Sequence, residues 1–435
     1  MTANANRELR ATLLTLGFGA FACQASVRIC DAMLPQLSQE FGVSIAAASA
    51  VIAAFVIAYG LSQLLHGPLG DRYGKLRMIR ITAAIAAVGS LACAFAPGLD
   101  ALTVLRFVTG AAASAVIPLT IAWVGDEVAY EVRQRTLARL MAGSNSGMIF
   151  GLVMGGFFVD TIGWRAGFAV LAVALAMTSG ALWLRTRRAG PVDAAATAAS
   201  PSTTSTTSTT STSSTTSTTS TTSTAASAPP SLSPRRIAGQ FATVLRNARA
   251  RLVLAIVVAE GALAFGALAF IPTFLHLRHG MPLWQAGLVV AGYGVGGISY
   301  AMTAHWLVPR MGERGLSAVG GLLLCIGVLS VGGPMPLVEA MKCWLGGFGF
   351  FMLHNTLQTV ATQMMPQMRG TAIAAFALAL FAGQAIGVAV AGRVGPVWGF
   401  EPLFMGIAVG LAGLGALIAW RVAGRAAPAR EAAAQ

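Results

Sequence analysis

Twelve long apolar segments constrain this sequence more than any other feature. A run of about 20 apolar residues crosses a bilayer as a helix, and each segment reaches or approaches that length. The composition agrees, because 56% of the residues are hydrophobic and only 10% are charged, whereas about a quarter of a soluble domain is charged. The sequence therefore predicts an all-α membrane protein. The predicted spans, numbered 1 to 12, are 11–35, 45–66, 78–96, 99–124, 137–160, 164–184, 251–275, 284–307, 315–333, 336–357, 370–392 and 400–422.

A segment of low complexity separates span 6 from span 7. Its centre is an uninterrupted run of serine and threonine from Ser202 to Thr224. Such a composition buries too little apolar surface to offset the entropy lost when a chain is ordered. We expect a disordered cytoplasmic linker between two bundles of six helices. The predicted domains are 1–189, the N-terminal bundle; 190–234, the linker; and 235–435, the C-terminal bundle.

The two halves repeat each other. Span 5 and its surroundings match span 11 in one ungapped alignment, and a neighbouring register places Leu34-Pro35 on Ile271-Pro272. The sequence therefore predicts two pseudo-symmetric six-helix units. Parallel repeats of this kind place a substrate site near the midplane, between the halves. The matched pairs around spans 5 and 11 are Arg133 and Arg369, Gly147 and Gly383, Gly151 and Gly387, Gly155 and Ala391, Gly156 and Gly392, Gly163 and Gly399, and Phe168 and Phe404.

The net charge of +14 indicates membrane topology rather than nucleic-acid binding. With the N-terminus inside, all but six of the 29 basic residues fall at cytoplasmic ends, loops and termini. Loops that retain lysine and arginine stay in the cytoplasm, so both termini and the linker are expected there. No nucleic-acid partner is predicted. The six basic residues that lie elsewhere are Arg28, Arg106, Arg165, Arg278, Lys342 and Arg393.

No pattern in the sequence indicates an enzyme, a metal site or a cofactor. The five cysteines lie within predicted spans without CxxC or Cys/His spacing, so they are interpreted as buried apolar side chains. Gly292, Gly294 and Gly297 fit a dinucleotide-binding pattern, but they lie inside span 8 without a preceding strand. There is no phosphate loop and no nucleophile elbow. ATP-driven transport is therefore not expected.

The loop between spans 2 and 3 carries the most specific motif. It reads GPLGDRYGKLR from Gly67 to Arg77. Glycine permits a tight turn where two helix ends meet, and the Asp71 carboxylate can then face the positive N-terminal end of a neighbouring helix. Span 11, which begins after Arg369, is expected to offer that end. The alternative is a generic solvated basic loop.

This loop resembles the signature between helices 2 and 3 of the major facilitator superfamily, and nearly all of the chain outside the linker fits that family. The resemblance implies a twelve-helix secondary transporter in which this loop latches the cytoplasmic side closed in the outward-facing state. Leu76 stands where the family usually has a second basic residue. The corresponding loop between spans 8 and 9 lacks the first acid, so an asymmetric latch is expected. The candidate latch residues are Gly67, Gly70, Asp71, Arg72, Gly74, Lys75 and Arg77.

Span 5 carries glycines at every fourth position. Small residues with this spacing line one helix face and let another helix approach closely. The block also resembles the glycine motif of the family's antiporters, although Leu152 replaces the usual proline. It is interpreted either as an export-associated motif or as simple helix packing. The candidate residues are Gly147, Gly151, Gly155 and Gly156.

Two charged residues near the end of span 1 form the first candidate coupling site. Arg28 and Asp31 are three positions apart, so they share a helix face and can pair. Charges inside a bilayer are costly and commonly mark an ion or substrate pathway. The segment from Asp31 to Pro35 is similar to the helix 1 signature of drug/proton antiporters, which implies that Asp31 senses substrate or proton. The alternative is a structural ion pair.

Glu260 in span 7 is the second candidate proton site. Its distance along the helix from Arg251 places it roughly 14 Å into a hydrocarbon core about 30 Å thick. No basic residue lies three or four positions away, and burial without a partner favours the protonated acid. Such a group can exchange protons during transport. The alternative is a protonated glutamate that is hydrogen-bonded to an adjacent helix.

Arg106 in span 4 is the third candidate. The segment from Leu105 to Gly110 resembles the family's helix 4 arginine motif, which implies a role in proton coupling. Because helix 4 lies beside helix 1 in that fold, Arg106 is expected to compete with Arg28 for Asp31. Isolated histidines are interpreted instead as hydrogen-bonded structural residues. They are His66, His305 and His354.

These features predict a proton-coupled secondary transporter that exports a small organic molecule. The expected mechanism is alternating access, in which Asp31 and Glu260 exchange protons while the halves rock about a midplane site. The expected setting is the inner membrane of a bacterium, with the protein a functional monomer. Two alternatives are left open. One is a metabolite importer that works by symport or facilitated diffusion, and the other is a non-transporting membrane sensor or assembly protein.

Overall fold

The computed structural model describes residues 3–188 and 234–421, and these are helical without any strand. The predicted linker, 190–234, lies outside the described residues except for Pro234. The C-terminal tail from residue 422 lies outside them as well.

In the first half, the helices follow the six predicted spans. Spans 1, 2 and 4 each consist of two helices separated by a short break, while spans 3, 5 and 6 are continuous. The helices are α1 (Ala3–Arg28) and α2 (Leu34–Glu40), α3 (Ile45–Ala48) and α4 (Ala50–Tyr73), α5 (Lys75–Ala94), α6 (Leu99–Ala113) and α7 (Val116–Glu127), α8 (Tyr130–Thr161), and α9 (Trp164–Arg188).

The second half begins with a helix that the sequence analysis did not predict. This helix, α10, starts at the residue where the linker was expected to end, and the Asn247 side chain then caps the next helix by accepting from the Ala250 N–H at 3.0 Å. The helices of this half are α10 (Pro234–Arg246), α11 (Ala248–Leu268) and α12 (Ile271–His279), α13 (Leu283–Ser330), α14 (Pro336–Met364), α15 (Arg369–Trp398) and α16 (Phe400–Arg421).

The described chain accounts for all twelve spans. Nine of its helical stretches are long and apolar enough to cross a membrane. One of them, α13, has 48 residues and is about twice the length that a bilayer requires. It contains spans 8 and 9, because Gly312 breaks it with φ 61° and ψ 177°. The more polar α1 and α14 supply spans 1 and 10, so the predicted all-α fold of two six-helix bundles is confirmed.

Spans 1 and 7 break at corresponding positions. The break in span 1 lies between α1 and α2, and that in span 7 lies between α11 and α12. Pro35 and Pro272 follow directly, and proline lacks the N–H that a continuous helix would need there. The first break contains Asp31. Helix geometry is therefore interrupted at the point where span 1 carries its acid.

The two ends of the membrane domain differ in composition. We call the end that carries Asp71 and Lys75 the basic end, and the end that carries Glu40 and Trp164 the opposite end. The halves approach most closely toward the opposite end. There, the Trp284 N–H at the start of α13 donates to Asp160 Oδ2 of α8 at 2.7 Å.

Glycines allow the halves to meet at this opposite end. A Cβ added to Gly156 of α8 would lie 2.1 Å from the Leu283 carbonyl oxygen of α13. A Cβ added to Gly392 of α15 would lie 2.7 Å from Ser49 Oγ, at the start of span 2. Both contacts join one half to the other, so they close the protein at the opposite end.

The contact between the halves continues to the middle of the membrane. Tyr59 of α4 packs against Phe381 of α15, with ring centroids 4.8 Å apart. At the basic end, by contrast, an added Cβ at Gly67 would have no heavy atom within 4 Å. The Asp71 side chain there is 73% exposed. The structure therefore represents a conformation in which the opposite end is closed.

Candidate functional site

The break in span 1 holds an ion pair. A guanidinium nitrogen of Arg28 lies 3.0 Å from Asp31 Oδ2, and the two side chains are 2% and 0% exposed. The predicted pairing is therefore present. Apart from this ion contact, neither group makes a hydrogen bond with the described residues. Both retain polar atoms that a ligand or water could satisfy.

Arg106 approaches the same region from α6, but other groups hold it. Its guanidinium donates to the Ser26 carbonyl oxygen at 3.0 Å and to Ser26 Oγ at 3.3 Å. It also lies over the Phe55 ring, 3.9 Å from the centroid. Among the described residues, the ion pair of Asp31 is with Arg28. Competition between the two arginines stays a prediction, because it requires Arg106 to leave Ser26.

Glu260 is fully buried in α11 and contacts a histidine from another span. Nδ1 of His354, in α14, lies 3.1 Å from Glu260 Oε2 and 3.3 Å from Oε1. Glu260 is 0% exposed, whereas His354 remains 13% exposed. The contact with a neighbouring helix that sequence analysis left as an alternative is therefore present. Its partner is a group that can itself take up a proton.

Sequence reasoning missed this partnership. Glu260 and His354 are 94 positions apart and lie on different helices, so no spacing rule connects them. His354 was interpreted as a hydrogen-bonded residue without a named partner, and the structure supplies Glu260 as that partner. The available signal was a polar, ionisable side chain inside a predicted apolar span, which by itself marks a functional candidate.

Two phenylalanines connect the Arg28–Asp31 pair of the first half with the Glu260–His354 pair of the second. The Arg28 guanidinium lies over the Phe265 ring at 5.3 Å. Phe265 meets Phe350 nearly edge-on, with centroids 5.4 Å apart. Phe350 in turn stacks on His354 at 5.1 Å and an interplanar angle of 10°. We call Phe265 and Phe350 the aromatic bridge, because they join the Arg28 site to the Glu260 site through side-chain contacts.

Tyr293 lies beside the aromatic bridge, with its ring 5.5 Å from that of Phe350. Its hydroxyl is buried and has no hydrogen-bond partner within the described part of the chain. The hydroxyl is within electrostatic reach of Glu260 and Arg28. Tyr293 also lines a cavity of about 10 Å³ whose other walls are mostly apolar. Its hydroxyl is therefore an unsatisfied polar group among apolar side chains of the described chain.

The candidate latch loop turns at a glycine and is anchored within its own half. Gly74 has φ 89° and ψ 130°, a conformation that is essentially limited to glycine. Lys75 forms ion pairs with Asp126, at the end of α7, and with Asp71 at 3.6 Å. Arg72 lies over the Tyr73 ring at 5.3 Å. In this conformation Asp71 is exposed, and its approach to the start of span 11 stays a prediction.

The remaining latch candidates differ in their surroundings. Gly70 is buried, and a Cβ added there would lie 2.4 Å from a methyl group of Leu119. Arg77 is exposed on the first turn of α5. Gly70 therefore packs the end of α4 against α7, whereas Arg77 is available to solvent or lipid headgroups.

The glycine ladder of α8 packs against α1. A Cβ added to Gly147, Gly151 or Gly155 would lie between 2.1 and 2.4 Å from a backbone carbonyl oxygen of α1 or of the break that follows it. Gly156 differs, because it faces α13 in the other half. The ladder therefore fixes α8 against the helix that leads to Asp31. The carbonyls that it meets are those of Phe21, Ala25 and Ile29.

Metal binding has no support in the described ranges. They contain no cluster of three or more side chains that could hold a metal ion. The cysteines are free thiols. Those that are buried are Cys23, Cys30, Cys93 and Cys343, while Cys325 is partly exposed.

Comparison with known proteins identifies a family model that matches most of the chain. The Major Facilitator Superfamily model matches residues 16–388. The chain is 29% identical to the multidrug resistance protein Stp of Mycobacterium tuberculosis (strain CDC 1551 / Oshkosh) over 166 residues, which are 38% of this chain and 31% of Stp. It is 29% identical to the multidrug export protein EmrB of Haemophilus influenzae over 151 residues, 35% of this chain and 30% of EmrB. The matches span between 30% and 42% of the length of the first curated relatives.

Solved structures resemble the whole described fold. The nucleoside transporter NupG covers 95% of this chain and 99% of its own, with a TM-score of 0.69 and 16% identity. The D-xylose-proton symporter covers 96% of this chain and 99% of its own, with a TM-score of 0.68 and 14% identity. At these identities the likeness concerns the fold alone.

Proposed function

Because the chain belongs to the Major Facilitator Superfamily and is a multi-pass membrane transporter rather than an enzyme, we propose that it exports a small organic molecule in exchange for protons. The observation that carries this proposal is the presence of a fully buried acid in each half. Asp31 and Glu260 are both 0% exposed, and buried acids of membrane proteins commonly mark a proton or substrate pathway.

In the proposed mechanism, protonation of Asp31 and Glu260 changes the partners that these buried acids hold. An ionised acid in a low-dielectric region requires a charged or hydrogen-bonding partner, so protonation changes which partner it holds. Protonation of Asp31 releases Arg28, and protonation of Glu260 changes its contact with His354. Each of these changes alters the free energy that is required to move one half relative to the other. Binding of substrate beside the aromatic bridge would then favour one protonation state of these acids.

We assign the basic end to the cytoplasm, since loops rich in arginine and lysine are retained there. The protein would then face inward in this conformation, with its periplasmic side closed by the contacts between α8 and α13. The exposed Asp71 would engage the start of span 11 when the cytoplasmic side closes. The setting is a bacterial inner membrane, and the protein acts as a monomer.

Export is supported by two kinds of similarity. Stp is a multidrug resistance protein and EmrB a multidrug export protein, and span 5 carries most of an antiporter-type glycine motif. Import by proton symport is the second candidate, because Leu152 replaces the proline of that motif.

The test uses energised inverted membrane vesicles that contain the wild type, Asp31→Asn or Glu260→Gln. A panel of lipophilic cations, phenolics, sugars and amino acids is added while a fluorescent dye reports the pH gradient. We expect at least one compound to dissipate the gradient in the wild type and in neither variant. The control is Asp100→Asn, which removes an exposed acid at the start of α6 and should behave as the wild type.

Other outcomes assign the function differently. If a compound dissipates the gradient equally in the wild type and in both variants, neither Asp31 nor Glu260 is part of the proton pathway. If no compound dissipates the gradient, uptake of the same panel into intact cells tests import. Accumulation of a compound in the cells would show import, by symport or by facilitated diffusion, instead of export.

A further inference from the structure

The Glu260–His354 pair joins a fully buried acid to a partly exposed base. A carboxyl group without solvent contact must exchange its proton through a neighbour. His354 approaches both oxygens of Glu260 and is the more exposed member of the pair. We propose that His354 carries protons between Glu260 and solvent. This inference rests on the proposed function, because it names the partner of one of its two proton sites.

The proton balance of this step is simple. The protonated Glu260 carboxyl donates its proton to Nδ1 of neutral His354, which leaves a carboxylate and an imidazolium. The imidazolium then releases the proton on Nε2 to water, so that the neutral ring now carries its hydrogen on Nδ1. That N–H donates to the carboxylate. The reverse sequence loads Glu260 again, and no other reactant is required.

Aromatic rings hold the imidazole in position for this exchange. Phe350 stacks on it from within α14, and Phe376 of α15 lies 5.4 Å away at an interplanar angle of 49°. Both contacts restrict the ring while leaving it partly exposed. Because α15 also contacts α4 of the other half through Phe381, movement of the halves would change the surroundings of His354 during transport.

Two other ionisable groups face this site. Tyr293 and Arg28 are within electrostatic reach of one another and of the same region, and Arg28 stays charged because a guanidinium does not deprotonate in proteins. Neither makes a hydrogen bond to Glu260 in the described structure. The imidazole is therefore the hydrogen-bonding neighbour through which a proton can pass.

The test measures the protonation of Glu260 without transport. Purified protein is treated at pH values from about 5 to 9 with dicyclohexylcarbodiimide, which modifies protonated carboxyl groups in apolar surroundings, and peptide mass spectrometry reports labelling of Glu260. The variants are His354→Leu and His354→Asn. The control is His305→Leu, which removes an exposed histidine of α13 that lies outside the site.

We expect the midpoint of the labelling curve to move away from the wild-type pH in His354→Leu, because Glu260 loses the hydrogen-bonding neighbour with which it exchanges its proton. In His354→Asn the shift should be smaller, since the amide still donates. His305→Leu should overlay the wild type. If both His354 variants keep the wild-type midpoint, the proposal is wrong; if His354→Leu fails to fold, His354→Asn decides alone.

This result is separable from the proposed function. A shifted labelling curve together with normal gradient dissipation in Glu260→Gln would mean that the pair exists but does not drive transport. An unshifted curve together with loss of dissipation in Glu260→Gln would keep Glu260 as a proton site and remove His354 from its pathway.

Discussion

Asp31 and Glu260 are equally buried, but their partners differ chemically. Arg28 remains charged at any physiological pH, so in the first pair only Asp31 can exchange a proton. His354 can itself gain or lose a proton, so both members of the second pair can do so. Protonation of the acid therefore breaks the ion pair of the first half, whereas in the second half the proposed proton step passes from one member of the pair to the other.

Glu40 at the opposite end forms a third charged cluster, outside the membrane. Trp164 Nε1 donates to Glu40 Oε2 at 2.6 Å, and Arg165 forms an ion pair with the same carboxylate. Burial opposes ionisation here, but the hydrogen bonds from Arg165 and Trp164 and the charge of Arg165 outweigh it, so the pKa of Glu40 lies below its usual value. The cluster ties the end of α2 to the start of α9.

The variant Glu40→Gln should lower the melting temperature at neutral pH and have little effect in acid. A lowered folded-state pKa stabilises the protein above the unfolded value of about 4.3, and this stabilisation is lost as the pH falls through the folded value. Glu40 is 34% exposed, so less than about 1 kcal/mol is expected. Thermal unfolding in detergent at several pH values measures it. A difference that persists below the folded-state pKa would contradict this account.

The packing of α8 on α1 depends on glycines that contact the backbone leading to the Asp31 break. Backbone carbonyls of α1 occupy the space that side chains on α8 would need at Gly147 and Gly151. Gly143, one turn earlier on the same ladder, has more room, because its added Cβ would be 3.6 Å from the nearest atom, the Gly17 carbonyl oxygen. Glycine is thus required for close packing at positions 147 and 151 but not at position 143.

Gly147→Ala should therefore destabilise the protein while Gly143→Ala should not. Overpacking of a close contact costs about 1–3 kcal/mol, whereas alanine gains up to about 1 kcal/mol in helix propensity where space allows. Melting temperatures of the two variants in the same detergent test this difference. Equal melting temperatures would mean that α8 and α1 separate easily.

Gly74 fixes the turn of the latch loop through its backbone. An alanine there would meet no atom within 4 Å, so Gly74→Ala isolates the cost of its φ of 89°, about 1–3 kcal/mol. We expect a lower melting temperature and impaired transport. The control is Gly413→Ala in α16, which also has no atom within 4 Å but lies in ordinary helix. If the Gly74→Ala variant is as stable as this control, the positive φ of residue 74 does not require glycine.

The halves of the whole molecule meet along the opposite end and separate toward the basic end. Contacts of Gly156 and Gly392 with the other half close the first, while the exposed Asp71 leaves the second without an equivalent contact. In the proposed alternating-access cycle, these contacts break when the basic end closes. Fixing the opposite end should therefore stop the cycle.

A disulfide between Ser49→Cys and Gly392→Cys should form readily and block transport. The added Cβ at Gly392 would lie 2.7 Å from Ser49 Oγ, so two cysteines at these positions would be adjacent and need only a small shift to bond. The variant is made after replacing the five native cysteines, with a protease site in the Ser202 to Thr224 segment so that gel mobility reports linkage of the halves. Reduction should restore gradient dissipation.

A pair at the basic end is the matched control. Asp71→Cys with Gly370→Cys joins the latch loop to the start of α15, and in the present conformation it should cross-link far less. Equal cross-linking at both ends, or normal transport with the opposite end linked, would contradict the assignment of these contacts to a conformational cycle.

The helices and the candidate residues were predictable for different reasons. Hydrophobic segment length and the placement of basic residues are local properties, so they predicted the spans, and the spacing of Arg28 and Asp31 predicted their pairing. The amphipathic α10 was missed because it is short and adjoins the serine and threonine segment. His354 was missed because its relation to Glu260 depends on how α11 and α14 pack.

The sequence by itself determined an all-α fold of twelve spans in two related bundles, since apolar length in a lipid solvent leaves only helices. It also determined which residues place charge in the bilayer. Only the tertiary structure decided which polar groups of distant helices meet: Arg106 donates to Ser26, and Glu260 contacts His354. The reason is physical, because local pattern sets what a helix can bury, whereas contacts between distant helices depend on their rotation and depth when they pack.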